Sequence, residues 1–187
     1  MGMTPTLYLL RHGQTEWNAQ GRLQGRLDSP LTALGRGQAK RQAQLIAALP
    51  PELQCWSSPA GRAVETARIA LGGRPLAFDA RLAEIDIGAF TGRTLSELQS
   101  AHPEQFSGGG LDWYDRTPQG EDFAALHARV RSFLDGLRAP AIIVTHGVTL
   151  RMIRLVAMGL PLARIGEMSV FQGALHRVSA GRHQVFF

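Results

Sequence analysis

The chain has 187 residues, of which 44% are hydrophobic and 19% charged, with a formal net charge of +5. This fits one soluble globular domain, residues 1–187, long enough to bury a full core, and excludes a disordered or collagen-like chain. No apolar run approaches the roughly 18 residues needed to cross a bilayer, and the start, Met1 to Thr6, lacks the basic segment of a signal peptide. Cys55 is the only cysteine, so no intrachain disulfide can form, and a cytoplasmic setting away from membranes is expected. The basic side chains are arginines apart from Lys40 and are scattered singly, which does not make a nucleic-acid surface. Arginine is, however, the side chain best shaped for bidentate capture of phosphate.

In chain order, the apolar run Thr6 to Leu10 predicts a first strand. Thr32 can cap a helix running to about Leu49, stopped by Pro50-Pro51. Leu53 to Ser57 predicts a second strand, and Pro59 to Leu71 a helix ended by Gly72-Gly73. Leu76-Ala77-Phe78 is a brief third strand. Thr94-Leu95-Ser96-Glu97 has capping-box spacing and opens a short helix to about Ala101. Phe123, Leu126, Val130, Phe133, Leu134 and Leu137 recur at helical spacing, so 121–138 is an amphipathic helix. Ala141 to Val144 predicts a buried central strand. Val148 to Met158 is apolar nearly all round except at Arg151 and Arg154, as for a helix packed tightly on a sheet. Met168 to Phe187 alternates enough for two or three closing strands. The least regular stretch, 86–120, holds Gly108-Gly109-Gly110, Trp113, Tyr114 and Pro118 and is expected to be a lid or pocket wall that sets specificity. Strand and helix signals alternate, which favours an α/β fold.

The chemistry-bearing residues gather at the predicted strand ends. Arg11 and His12 follow the first strand, Ser57 and Ser58 the second, with Arg62 a turn into the next helix. Glu84 lies past the third strand and His146 follows the fourth. In an open parallel sheet these ends share one edge, where ligands bind. Phosphoryl transfer needs cations and donors around the phosphoryl oxygens, a nucleophile and a proton donor. Arg11, Arg62 and His146 can supply the first and His12 the second. Helix-start N–H groups near Gly13 or Gly147 could add donors, and Glu84 can serve as acid and base. Each also has a plainer reading: Arg62 could pair with Glu65 on its own helix, and Glu84 could be a surface carboxylate. His102, His127, His176 and His183 lack comparable context and read as structural. No zinc-ligand spacing, Walker glycine loop or glycine-framed serine occurs.

These residues form ordered blocks: Leu10-Arg11-His12-Gly13-Gln14-Thr15-Glu16-Trp17-Asn18, then Arg22, Gln24-Gly25, Asp28, Pro30-Leu31-Thr32, Gly35 and Gln38-Ala39. Ser57-Ser58-Pro59 with Arg62-Ala63 and Thr66-Ala67 follows, then Glu84 with Gly88, Phe90 and Gly92, and last Thr145-His146-Gly147. In this order they resemble the histidine phosphatase superfamily, in its phosphoglycerate-mutase-like branch. The resemblance implies a three-layer α/β/α sandwich around a mostly parallel sheet and a phosphohistidine at His12. It implies that Arg11, Arg62 and His146, with Gly147 beside it, hold the phosphoryl group, that Glu84 is acid and base, and that Asn18, Gln24 and Gly25 line the substrate side. No metal and no cofactor are implied. The chain departs from the family at Asp122, where serine usually follows the glutamate, and lacks the mutase tyrosine shortly after the acid (Glu84-Ile85-Asp86-Ile87-Gly88). A phosphomonoesterase acting on a small phosphorylated metabolite is therefore expected, with phosphoglycerate mutase or ribazole-phosphate phosphatase of cobalamin synthesis as alternatives. A homodimer is the default from base rates.

Overall fold

The computed structural model describes residues 4–108 and 110–187. Met1 to Met3 and Gly109, which the readings of the chain start and of the glycine run include, lie outside the described residues. Six strands form one sheet: β1 (Leu7–Arg11), β2 (Gln54–Ser57), β3 (Leu76–Phe78), β4 (Ala141–Thr145), β5 (Leu175–Ser179) and β6 (Arg182–Phe186), in the order β3-β2-β4-β1-β5-β6. β3, β2, β4 and β1 are parallel, while β5 and β6 close the other side antiparallel. The tail thus forms two of the expected closing strands. The helices are α1 (Glu16–Ala19), α2 (Ala33–Ile46), α3 (Gly61–Leu71), α4 (Leu95–Ala101), α5 (Phe123–Gly136) and α6 (Gly147–Met158). None in the described residues is long and apolar enough to cross a membrane.

Side-chain alternation along the strands builds the three layers. Leu7, Leu9, Ala141 and Ile143 face one way and pack with Val130 and Phe133 of α5 and Leu150 and Ile153 of α6. Leu10, Ile142, Val144 and Cys55 face the other way and pack with Ile46 of α2 and Ala63, Ala67 and Leu71 of α3. The period of two in a strand sends neighbours to opposite faces, so one apolar run feeds both cores. All of β4 is buried.

The helix ends follow their caps. Thr32 accepts the Gly35 N–H at 3.0 Å and starts α2, which ends at Ile46 before turns carry the chain to Pro50. α3 begins two residues later than the sequence indicates. Its own N-cap, Ala60, has no capping side chain, and Asp28 from a distant loop accepts the Arg62 N–H at 3.2 Å instead. Gly72 ends α3 at φ 59°. Thr94 and Glu97 make the expected capping box of α4. α1 escaped the sequence reading; its box is Thr15 with Asn18, an asparagine in the place where glutamate or glutamine is the usual signal. Asp122 caps α5 by accepting the Ala125 N–H at 2.7 Å, so the departure from the family's serine keeps the cap.

The register aligns the carboxyl ends. Arg11 pairs with Thr145 and Ser57 with Val144. His12 then donates its N–H to the Thr145 carbonyl (2.9 Å) and Ser58 to that of Val144 (3.0 Å), continuing the ladders one residue beyond the strands. Arg11, assigned from the sequence to the following loop, is therefore the last residue of β1.

The 86–120 stretch folds on itself. Phe90, His102, Phe106, Trp113 and Tyr114 form a chain of ring contacts, with Trp113 on Tyr114 at 3.8 Å. Its ends are tied by Glu121 N–H to the Asp86 carbonyl (2.8 Å) and Ala89 N–H to that of Pro118 (3.0 Å). Gly88 has φ 44°, and a Cβ there would run into the Pro118 carbonyl.

Candidate active site

The site opens at the carboxyl edge of β1, β2 and β4 as a pocket enclosing about 110 Å³. Arg11, His12, Arg62, Glu84 and Tyr114 line one part of it, and Asn18, Arg22, Leu23, Gln24, Gly25 and Ile87 the rest.

His12 is buried, and its Nδ1 lies 2.8 Å from the Gly13 carbonyl. A carbonyl only accepts, so Nδ1 carries the ring hydrogen and Nε2 keeps its lone pair. Burial, and after it the Arg11 and Arg62 charges, holds the His12 pKa well below the usual histidine value, against a smaller opposing pull from Gly13. The ring is neutral near pH 7. The turn that aims it depends on two glycines: a Cβ on Gly13 would meet the Gly35 carbonyl, and one on Gly35 would meet that of Gln14. The Gly13 N–H donates to Thr66 Oγ1 at 3.0 Å, fastening the turn to α3.

His146 stands beside His12, with ring centroids 5.1 Å apart. Its Nε2 is 2.7 Å from Ser58 Oγ, which also accepts the Ala60 N–H at 3.3 Å. The Ser58 hydroxyl hydrogen is free to go to Nε2, which leaves the ring hydrogen on the buried Nδ1. Burial and then Arg62 hold His146 well below the usual pKa. Ser58 lacks the framing of a nucleophile, and here it is a partner of His146.

Arg62 is held rigidly. Nη1 donates to the Leu27 carbonyl (2.7 Å) and Asp28 Oδ1 (3.0 Å), and Nη2 to the Gly25 carbonyl (2.9 Å). Glu65 pairs instead with Arg36, at 2.8 Å, so the Arg62–Glu65 alternative does not occur. The Arg11 guanidinium makes no hydrogen bond among the described residues. Three buried N–H positions in this cluster lack a partner: Arg11 Nε, Arg62 Nε and His146 Nδ1.

Glu84 reaches the site from beyond a 3-10 turn (Ala80–Leu82) that follows β3. Its carboxylate caps α6: Oε1 accepts from Ile85 N (3.0 Å) and Thr149 N (3.0 Å), and Oε2 from Val148 N (3.1 Å), while the Thr149 hydroxyl gives its hydrogen to the Ala83 carbonyl (2.8 Å). It is not a free surface carboxylate. A Cβ on Gly147 would lie 3.6 Å from both the Arg11 guanidinium and Glu84 Oε2, so both groups flank that glycine.

Thus His12, Arg11, Arg62 and Glu84 come together with Asn18, Gln24 and Gly25 in one pocket. His146 and Gly147 pack against its inner side rather than forming its wall. Ser58 and Thr66, members of the second sequence block without an assigned role, orient these groups together with Thr149, which carries no sequence signal beyond its nearness to the last motif. Tyr114, expected from the sequence as part of a stretch that walls the pocket and shapes substrate choice, enters the pocket, where burial raises its phenol pKa well above the usual value. Among the described residues no three His, Cys, Asp or Glu side chains gather into a metal-ligating group.

The model of the histidine phosphatase superfamily (branch 1) matches residues 7–186. "Probable phosphoglycerate mutase GpmB" of Escherichia coli strain K12 / DH10B is 36% identical, the match covering 83% of this chain and 75% of that protein. The structure of Bacillus stearothermophilus YhfR aligns with a TM-score of 0.81 at 35% identity, over 97% of this chain and 95% of that one. That of the alpha-ribazole phosphatase from Shigella flexneri aligns with a TM-score of 0.83 at 28% identity, over 97% and 94%. The chain belongs to branch 1 of the histidine phosphatase superfamily.

Proposed function

We propose that this enzyme hydrolyses a phosphomonoester of a small metabolite through a phosphohistidine on His12. The carrying observation is the set of three unpartnered buried donors, Arg11 Nε, Arg62 Nε and His146 Nδ1, grouped around a neutral His12 whose Nε2 lone pair is free. A buried donor without an acceptor is costly in isolation, and a bound phosphoryl group supplies the missing oxygens. Nε2 attacks phosphorus as the P–O bond to the alcohol breaks. The departing oxygen takes a proton from Glu84 Oε2, the carboxylate oxygen with one N–H bond rather than two. Water then attacks phosphorus, returns a proton to Glu84, and releases inorganic phosphate with cleavage of the P–N bond. Beyond the phosphate, Leu23, Ile87 and Tyr114 would face the alcohol, which makes the 86–120 stretch a specificity wall that excludes water when substrate binds.

An aryl phosphate assayed with chelator present should be hydrolysed, and quenching in alkaline denaturant, where the P–N bond survives, should trap phosphate on His12. Activity retained in His12→Ala would sink the mechanism. A mutase reading is favoured by the name of the Escherichia coli relative. Isomerisation of phosphoglycerate, primed by a bisphosphate and faster than phosphate release, would establish it instead. A panel of sugar phosphates, phosphoglycerates, nucleotide monophosphates and ribazole phosphate, ranked by kcat/KM, identifies the substrate.

A further inference from the structure

Gln172 lies in the loop before β5, outside every sequence block above. Its Nε2 donates to Asn18 Oδ1 at 3.1 Å and to the His12 carbonyl at 3.3 Å. Asn18 Oδ1 also accepts the Thr15 N–H at 3.2 Å. The two ends of a carboxamide are nearly identical in shape, so partners decide which way it points. Here both amides are anchored by main-chain groups of fixed polarity. The Thr15 N–H can only donate, so the Asn18 atom beside it is oxygen. The His12 carbonyl can only accept, so the Gln172 atom beside it is nitrogen. The contact between the two side chains is then N–H to O, and what remains of Asn18 is its NH₂, which has no partner among the described residues. Asn18 lines the pocket with Arg11 and His12.

We infer that Gln172 is a positioning residue that locks the Asn18 amide with its NH₂ toward the phosphoryl oxygens. This rests on the reading of the pocket as a phosphate site. With Gln172 gone, only the Thr15 N–H opposes a flip that would present Asn18 Oδ1 to an anion.

The test is a double-mutant cycle on aryl phosphate hydrolysis, with inorganic phosphate as competitive inhibitor. Gln172→Met keeps the length and removes the donor. It should lower kcat/KM about tenfold, mostly through KM, and weaken phosphate inhibition in parallel. In an Asn18→Ala background the same substitution should change neither parameter more than about twofold, because Gln172 acts through Asn18. If Gln172→Met does not fold, Gln172→Glu, which replaces the donor by an acceptor, is read through the same cycle. An active wild-type enzyme with unchanged KM in the variant, or with effects that add fully to Asn18→Ala, overturns the inference alone. A folded wild-type protein inert toward phosphate esters overturns the phosphatase reading and this inference with it.

Discussion

Glu84 shows how a single side chain can be fixed by a helix it does not belong to. Two main-chain donors hold Oε1, and one of them is the Thr149 N–H of α6. Only Oε2 keeps capacity for a transferred proton. Glu84→Gln should therefore lower kcat by about 10²–10⁴-fold on an alkyl phosphate, whose leaving oxygen needs the proton. The loss should be much smaller on p-nitrophenyl phosphate, whose leaving group is stable as an anion. Equal losses on both substrates would remove Glu84 from the role of acid. Arg62→Lys tests geometry in place of charge. The lysine keeps the cation but cannot satisfy the Gly25, Leu27 and Asp28 acceptors while facing a phosphate, so kcat/KM should fall at least about tenfold. The groups proposed to react were legible in the sequence because they sit in dense blocks at or shortly beyond the carboxyl ends of strands. Gln172 was not, because its loop becomes a neighbour of Asn18 only when β5 pairs with β1.

At the scale of elements, helix existence was readable from a cap in α2 and α4 and from apolar period in α5. Two boundaries moved for long-range reasons. α3 starts at Gly61 because Asp28 supplies the missing cap, and β1 extends to Arg11 because β4 extends to Thr145. Such partners are set by tertiary structure and have no local signature. Asp122→Ala should cost about 1 kcal/mol of stability by removing the α5 cap, and Asp122→Ser should recover most of it, both read from urea midpoints. Ile143→Ala, at a fully buried position of the central strand, should cost about 2–5 kcal/mol.

Across the whole molecule, four histidines are held below their usual pKa, so the folded state binds fewer protons than the unfolded chain. His12 and His146 do this in the site. His176 of β5 and His183 of β6 do it within the tail, where they stack at 5.2 Å, and both contact the buried Arg154. Burial, ahead of the Arg154 charge, lowers His176 to about 3 and His183 to about 4. Their neutral state adds no penalty above the unfolded histidine value near 6.5. As pH falls from there toward about 4, the unfolded chain takes up protons that the folded chain refuses, and stability is lost. The urea midpoint should drop between pH 7.5 and pH 5, above the range where carboxylates titrate, and the drop should shrink in His183→Gln. A midpoint constant over that interval would contradict the burial of these rings.

The strand order has a consequence for how the protein is made. β1 leaves the ribosome before the other strands of this sheet, yet its two neighbours, β4 and β5, begin at Ala141 and Leu175. Until those residues emerge, Leu7, Leu9 and Leu10 have no sheet to join, and both edges of β1 are unpaired. The proposed nucleophile is thus translated well before the strands that make it usable. Nascent chains arrested before residue 141 should bind holdase chaperones through this segment and show no phosphatase activity, whereas release of the finished chain should bring both properties to their native values together.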